Sequence, residues 1–95
     1  MRIAVKLKHP YDGIFGLKET EAEVPEGSRV QDVVDLLIEK HDAAEALKKN
    51  KLINEGKLAA FYALNKHVMG GKIVSNEKVL EESDTLTILG AFIGG

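Results

Sequence analysis

The residues with the clearest chemical potential stand at the end of the chain, where Gly90, Ala91, Phe92 and Ile93 lead into Gly94 and Gly95. Glycine has no Cβ and visits φ of both signs, so two in succession make a strip thin enough to thread a narrow cleft. They also leave the final carboxylate free of side-chain hindrance. A carboxylate is a poor electrophile until it attacks the α-phosphate of ATP and becomes an acyl adenylate. A sulfur nucleophile that displaces AMP then leaves a thiocarboxylate. Gly95 is therefore the candidate carrier of an acyl adenylate and a thiocarboxylate. Ordering a thin tail on a partner costs entropy, so an adjacent anchor is expected, and Phe92 and Ile93 stand in the right place. The same residues also suit a plain end. Glycines occur on tails with no role, and Phe92 and Ile93 fit the bottom of a core as readily as a partner.

The rest of the chain carries no self-contained active site. With no cysteine among 95 residues, thiol catalysis, cysteine-ligated metals and disulfides are excluded. The two Gly-Lys pairs, Gly56-Lys57 and Gly71-Lys72, lack the hydroxyl residue that a phosphate-cradling P-loop places next. His9, His41 and His67 lie in separate segments without ligand spacing and read as surface or capping histidines, so no intrinsic cofactor or metal is expected. Ser28 and Ser75 have no base and orienting partner in view. Formal net charge is −2, and aromatic residues make up 5% of the chain, which argues against a nucleic-acid surface. Lys48, Lys49 and Lys51 read as a solvated helix face. No apolar run approaches the roughly 20 residues of a membrane span, and residues 1–8 alternate where a signal peptide would be continuously apolar. A cytoplasmic protein with an intact N-terminus is expected. ATP, Mg²⁺ and the sulfur donor must all come from partners.

The elements that would hold such a tail are legible from periodicity. Ile3, Val5 and Leu7 alternate with Arg2, Ala4, Lys6 and Lys8, which predicts a strand with one buried face. His9, Pro10, Asp12 and Gly13 read as a turn. A second extended run over 17–24 completes an antiparallel hairpin. Ser28 followed by Gln31 has the spacing of a capping box, and Val30, Val33, Val34, Leu37 and Ile38 form the apolar stripe of an amphipathic helix. A shorter helix is predicted over 42–50, and a loop over 50–57 punctuated by Gly56. Residues 58–64 are continuously apolar and read as a buried strand. Asn65 to His67 is a turn, and Val68, Met69, Ile73 and Val74 flank Gly70 and Gly71 as a short hairpin or edge element. The polar stretch 76–83, with Glu81, Glu82, Ser83 and Asp84, reads as solvated. Residues 85–89 form a final strand with Leu86 and Ile88 toward the core. One domain over 1–95 follows, with a tail over 90–95: an α+β arrangement of a mixed sheet packed on one main helix.

In this order the pieces resemble the MoaD/ThiS sulfur-carrier family of ubiquitin-like β-grasp proteins, on the molybdopterin side of that family. The resemblance rests on the N-terminal strand, on Val24-Pro25-Glu26-Gly27-Ser28-Arg29-Val30 leading into the helix, and on Asp32-Val33-Val34-Asp35-Leu36-Leu37. It continues through Ala63-Leu64-Asn65 and Leu80-Glu81-Glu82-Ser83-Asp84-Thr85-Leu86 to Gly94 and Gly95. Where the family usually has Gly-Asp, this chain has Ser83 and Asp84. Where it often has a proline pair before the tail, this chain has Gly90, Ala91, Phe92 and Ile93. The region of Gly70, Gly71 and Lys72 looks inserted.

The resemblance implies that Gly95 is adenylated by a ubiquitin-activating-enzyme-like adenylyltransferase using ATP and Mg²⁺. Sulfur would come from a donor such as a cysteine desulfurase. The thiocarboxylate would then serve a molybdopterin synthase large subunit in molybdenum-cofactor synthesis, or a thiazole synthase in the thiamine branch. The stretch 42–57 is longer than thiamine-branch members usually carry, which favours the former. Gly94, Ile93, Phe92 and Phe61 are the residues expected to touch partners. The chain itself is expected to be a carrier and not an enzyme. Two alternatives stay open: a protein modifier conjugated through Gly95, and a β-grasp binding module with an inert tail.

Overall fold

In the computed structural model, residues 1–64 and 72–90 are described. The first strand, β1 (Arg2–Leu7), buries Ile3, Val5 and Leu7 and turns Arg2 and Lys6 to solvent, as its alternation requires. It pairs antiparallel with β2 (Glu19–Glu23), in register from Arg2 opposite Glu23 to Lys6 opposite Glu19. The segment between them is more than the turn its sequence suggests. Tyr11–Phe15 forms a short helix, α1, ended by Gly16 at φ +80. The Asp and Gly of this segment lie inside that helix because Tyr11 and Phe15, one turn apart, both reach the core.

Helix α2 (Val30–Lys40) carries the predicted stripe. Val30, Val33, Val34 and Leu37 are buried and Ile38 packs beside them. Its start is one residue later than the sequence suggests. Arg29 is the N-cap, and its backbone N–H donates to Asp32 Oδ2 at 2.8 Å. Gln31 is not part of a capping box. Its Nε2 donates to Asp35 Oδ1 at 2.8 Å and to the Gly56 carbonyl at 3.1 Å, and its Oε1 accepts from Asn76 Nδ2 at 3.0 Å. One amide thus ties the helix to two loops. Ser28 is nearly buried, and its carbonyl accepts the Leu80 N–H at 2.8 Å.

Helix α3 (Ala44–Lys49) follows, and then a miniature antiparallel hairpin, β3 (Ile53–Asn54) and β4 (Lys57–Leu58), occupies the predicted loop. Glu55 and Gly56 at its tip both have positive φ, +53 and +80, the twist that two-residue hairpins favour. Both α2 and α3 end in the same way. The Ala43 N–H donates to the Ile38 carbonyl and Asp42 to Glu39; Leu52 donates to Leu47 and Lys51 to Lys48. These are Schellman motifs, with Asp42 (φ +50) and Lys51 (φ +58) in the left-handed position that glycine normally fills.

The main sheet is completed by β5 (Ala60–Leu64), β6 (Lys72–Val74) and β7 (Thr85–Gly90), in the order β2-β1-β7-β5-β6. The β1–β7 pair is parallel and the other pairs are antiparallel. Side chains in register line up across strands: Leu7, Ile88, Tyr62 and Val74 form one row facing α2, and Val5, Leu86 and Leu64 form the next. One face of the sheet is covered and the other is open. Residues 58–64 are therefore not one buried strand. Leu58 belongs to β4, and within β5 only Tyr62 is fully buried, while Phe61 is 47% exposed on the open face.

The turn into β7 is not solvated either. Asp84 is buried, and its Oδ2 accepts the Glu81 N–H at 2.8 Å while its own N–H donates to the Glu81 carbonyl. Glu82 does stay at the surface; the Arg2 N–H donates to its Oε2 at 2.8 Å and holds its carboxyl below the usual value. Ser83 has φ +70, the conformation that a glycine would adopt without strain. The predicted turn at Asn65–His67 and the residues Val68 to Gly71 lie outside the described residues.

Left-handed backbone costs an L-residue about 1–2 kcal/mol, partly offset by the greater unfolded-state freedom of glycine. Ser83→Gly and Lys51→Gly are each expected to stabilise the fold, by up to about 1 kcal/mol. Urea denaturation of the two variants checks this, and a fall in midpoint for both would contradict the assignment of strain.

Candidate functional site

The last described stretch of chain is held from both sides. On one flank β7 pairs with β5, with Gly90 opposite Ala60 and Leu89 opposite Phe61. On the other, the Lys8 N–H donates to the Ile88 carbonyl at 2.9 Å and the Gly90 N–H to the His9 carbonyl at 3.2 Å. The strand stays fixed to its final residue. Tyr11 supports this end from beneath: its hydroxyl donates to the Ala59 carbonyl at 2.6 Å, which fixes the residue just before β5 begins. Helix α1, which the sequence does not reveal, thus buttresses the root of the tail.

Gly95, Gly94, Ile93 and Phe92 lie outside the described residues. Five residues separate Gly90 from the end of Gly95, a span of at most about 18 Å when extended. A partner that acts on the Gly95 carboxylate must therefore come close to the end of the central strand where Gly90 sits. Phe61 is the one described residue of the predicted contact set. It lies on the open face beside Leu89, and Ala63 and Ile73 (58% exposed) extend the patch onto β6. Leu89 and Ile73 were not singled out by sequence, although alternation in the last strand, with Leu86 and Ile88 inward, already points Leu89 outward.

Other chemistry is sparse. Among the described residues no three His, Asp or Glu side chains group as they would around a metal. His41 caps the C-terminal end of α2, as a capping histidine should, and meets the Phe15 ring edge-on at 6.0 Å. His9 is exposed and His67 lies outside the described residues. No described helix is long and apolar enough to cross a membrane. Burial pushes the phenols of Tyr11 and Tyr62 up to about 12, and for Tyr62 the neighbouring Tyr11 and Asp35 add to the effect.

No family model matches the sequence, and no curated protein does. Solved structures do match across almost the whole length. SAMP1 from Haloferax volcanii superposes with a TM-score of 0.78 at 20% identity, covering 100% of both chains. A putative molybdopterin converting factor, subunit 1, from Pyrococcus furiosus gives 0.70 at 24% identity over 97% of this chain and 99% of that one. A chain of the BexX/CysO complex from Amycolatopsis orientalis gives 0.61 at 27% identity over 98% and 99%. The fold is the ubiquitin-like β-grasp. These structural neighbours are ubiquitin-like sulfur carriers of the MoaD/ThiS type, the same kind of protein that the sequence resembles. They are small carrier proteins and not enzymes. Here one long helix closes one face of the sheet and leaves the other open.

The Tyr11 bond to Ala59 makes a testable contribution. Tyr11→Phe removes this part-buried bond and is expected to cost about 0.5–1.5 kcal/mol. Because both phenols titrate higher in the folded chain than unfolded, their neutral forms favour folding. That contribution is complete below about pH 10 and is lost as pH rises through about 12. Urea midpoints taken at neutral and alkaline pH should show wild type losing stability over this window, with a smaller loss in Tyr11→Phe.

Proposed function

We propose that this protein is a sulfur carrier whose Gly95 carboxylate is activated as an acyl adenylate and converted to a thiocarboxylate. The observation that supports this reading is the construction of the tail root. Gly90 is anchored by β5 and by the His9 carbonyl at one end of a sheet whose adjoining open face exposes Phe61. A rigid root followed by a thin glycine end suits delivery of a carboxylate into another protein's active site. In the first step the carboxylate oxygen attacks the α-phosphate of ATP, and pyrophosphate leaves. In the second the terminal sulfur of a donor persulfide attacks the acyl carbon and AMP leaves, and a thiol then attacks the donor-side sulfur of the acyl disulfide, which breaks the S–S bond, forms a new disulfide and releases the thiocarboxylate.

The partners that fit are a ubiquitin-activating-enzyme-like adenylyltransferase, which supplies ATP and Mg²⁺, and a sulfur donor such as a cysteine desulfurase. The acceptor we favour is a molybdopterin synthase large subunit, with a thiazole synthase as the thiamine-branch counterpart. The Pyrococcus furiosus neighbour, titled a molybdopterin converting factor subunit, supports the first. The excursion formed by α3 and the β3–β4 hairpin also supports it, since thiamine-branch members are usually shorter there. Gly94, Ile93, Phe92 and Phe61 are the residues proposed to touch these partners, in a cytoplasmic setting. A second reading has support as well. The Haloferax volcanii neighbour is a small archaeal modifier protein, which favours conjugation of Gly95 to lysine amines.

Protein isolated from its host should carry sulfur in place of one oxygen at Gly95, a gain of about 16 Da by intact mass. Finding only the plain carboxylate in cells that hold the activating enzyme would sink the carrier reading. Covalent adducts on a denaturing gel that vanish when Gly95 is deleted would favour the modifier.

A further inference from the structure

The open face of the sheet changes character from strand to strand. At the β2 edge stand Glu19, Glu21 and Glu23, all exposed. The next strand presents Lys6, with Lys8 just beyond it, and one strand further the apolar patch begins with Leu89 on β7. One row in register spans all five strands and reads Glu19, Lys6, Thr87, Ala63, Ile73. Among the described residues, the one ion pair on this face joins Arg2 Nε to Glu23 Oε2 at 3.8 Å, at the end of the sheet away from Gly90. Lys6 lies opposite Glu19 without closing such a pair. Lys6 and Lys8 share an open concavity of about 440 Å³ with His9 and Lys18, against the carboxylates of Asp12 and Glu19. The same His9 accepts the Gly90 N–H, so this concavity adjoins the root of the tail.

We propose that Lys6 and Lys8 form the charged half of the docking face. The protein that acts on Gly95 would present an apolar surface to Leu89, Phe61 and Ile73, and acidic side chains to the two lysines. The inference rests on the carrier reading above. Adjacent strands lie about 4.8 Å apart, so the acidic groups would sit about 5–10 Å to one side of the apolar contact. Charges at the rim of an interface act on encounter rate and register more than on intrinsic affinity. The glutamates of β2 sharpen the register. A partner displaced by one strand would bring its acidic groups onto Glu19 and Glu21, where like charges repel. The order apolar, basic, acidic across the face therefore admits one lateral placement, and that placement lies beside the exit of the tail.

The test is the initial rate of adenylation of the full chain by the ubiquitin-activating-type adenylyltransferase of the same cells, followed by pyrophosphate release. With Lys6→Glu/Lys8→Glu the KM for the carrier should rise about tenfold at about 50 mM salt, with kcat unchanged. The difference should shrink to about twofold at about 500 mM, where screening is stronger. Lys6→Gln/Lys8→Gln avoids placing a new carboxylate opposite Glu19 and should raise KM about threefold. Lys48→Glu/Lys49→Glu on α3 makes the same change in net charge and should stay within about twofold of wild type. If the Lys6/Lys8 variants keep the wild-type KM, or the α3 variant matches their rise, the docking inference fails while the carrier reading stands. A wild-type chain that the active enzyme does not adenylate removes both.

Discussion

The parallel pairing of β1 with β7 is the contact on which the rest of the molecule depends. It places the first and last described strands side by side at the centre of the sheet, with Val5 against Leu86 and Leu7 against Ile88. Parallel strands need a long connection, and here almost everything between them, from α2 to β6, serves as that connection. Because β1 and β7 run the same way, the chain leaves the sheet at the end opposite to the one where it enters. The N-terminal ammonium bonds to the Val24 carbonyl at one end, and Gly90 is fixed beside His9 at the other. The candidate working end therefore sits at the end of β1 away from the N-terminal ammonium.

One-sided coverage is the second constraint. A single long helix closes one face, and its valine and leucine stripe meets rows of Leu7, Ile88, Tyr62 and Val5, Leu86, Leu64. Everything pointing the other way must be tolerated by water or covered by another molecule. On β2 and β1 the chain meets this with charge, and on β5 and β6 it leaves Phe61 and Ile73 exposed. That difference within one face is what makes it read as a contact surface more than as ordinary solvent-facing sheet.

Much of this was written in the sequence, and the gaps have physical causes. Alternation in 2–8 and 85–89 and the 3.6-residue stripe from Val30 to Ile38 located the two central strands and the covering helix, because burial on one face forces a period. Helix α1 was hidden because Pro, Asp and Gly are turn formers locally, and only the tertiary burial of Tyr11 and Phe15 makes those five residues helical. The helix start shifted by one residue because Ser28 is drawn into a backbone bond with Leu80, leaving Arg29 to cap. The run 58–64 misled because hydrophobicity alone does not separate two covered faces from one covered face and a contact patch. For the candidate site, the terminal glycines and Phe61 stand out by residue type. The roles of Leu89, Ile73, His9 and Tyr11 depend on strand order, which no local pattern encodes.

The central pair also governs when the head of the molecule can exist. Ala4 and Thr85 are neighbours in the sheet but lie far apart in the chain, so the β1–β2 hairpin and α2 must wait for their middle partner. During synthesis on a ribosome, the core rows cannot close until β7 has left the exit tunnel. The face that β7 completes and the root of the tail at Gly90 therefore form in one step, and a chain lacking β7 would offer neither.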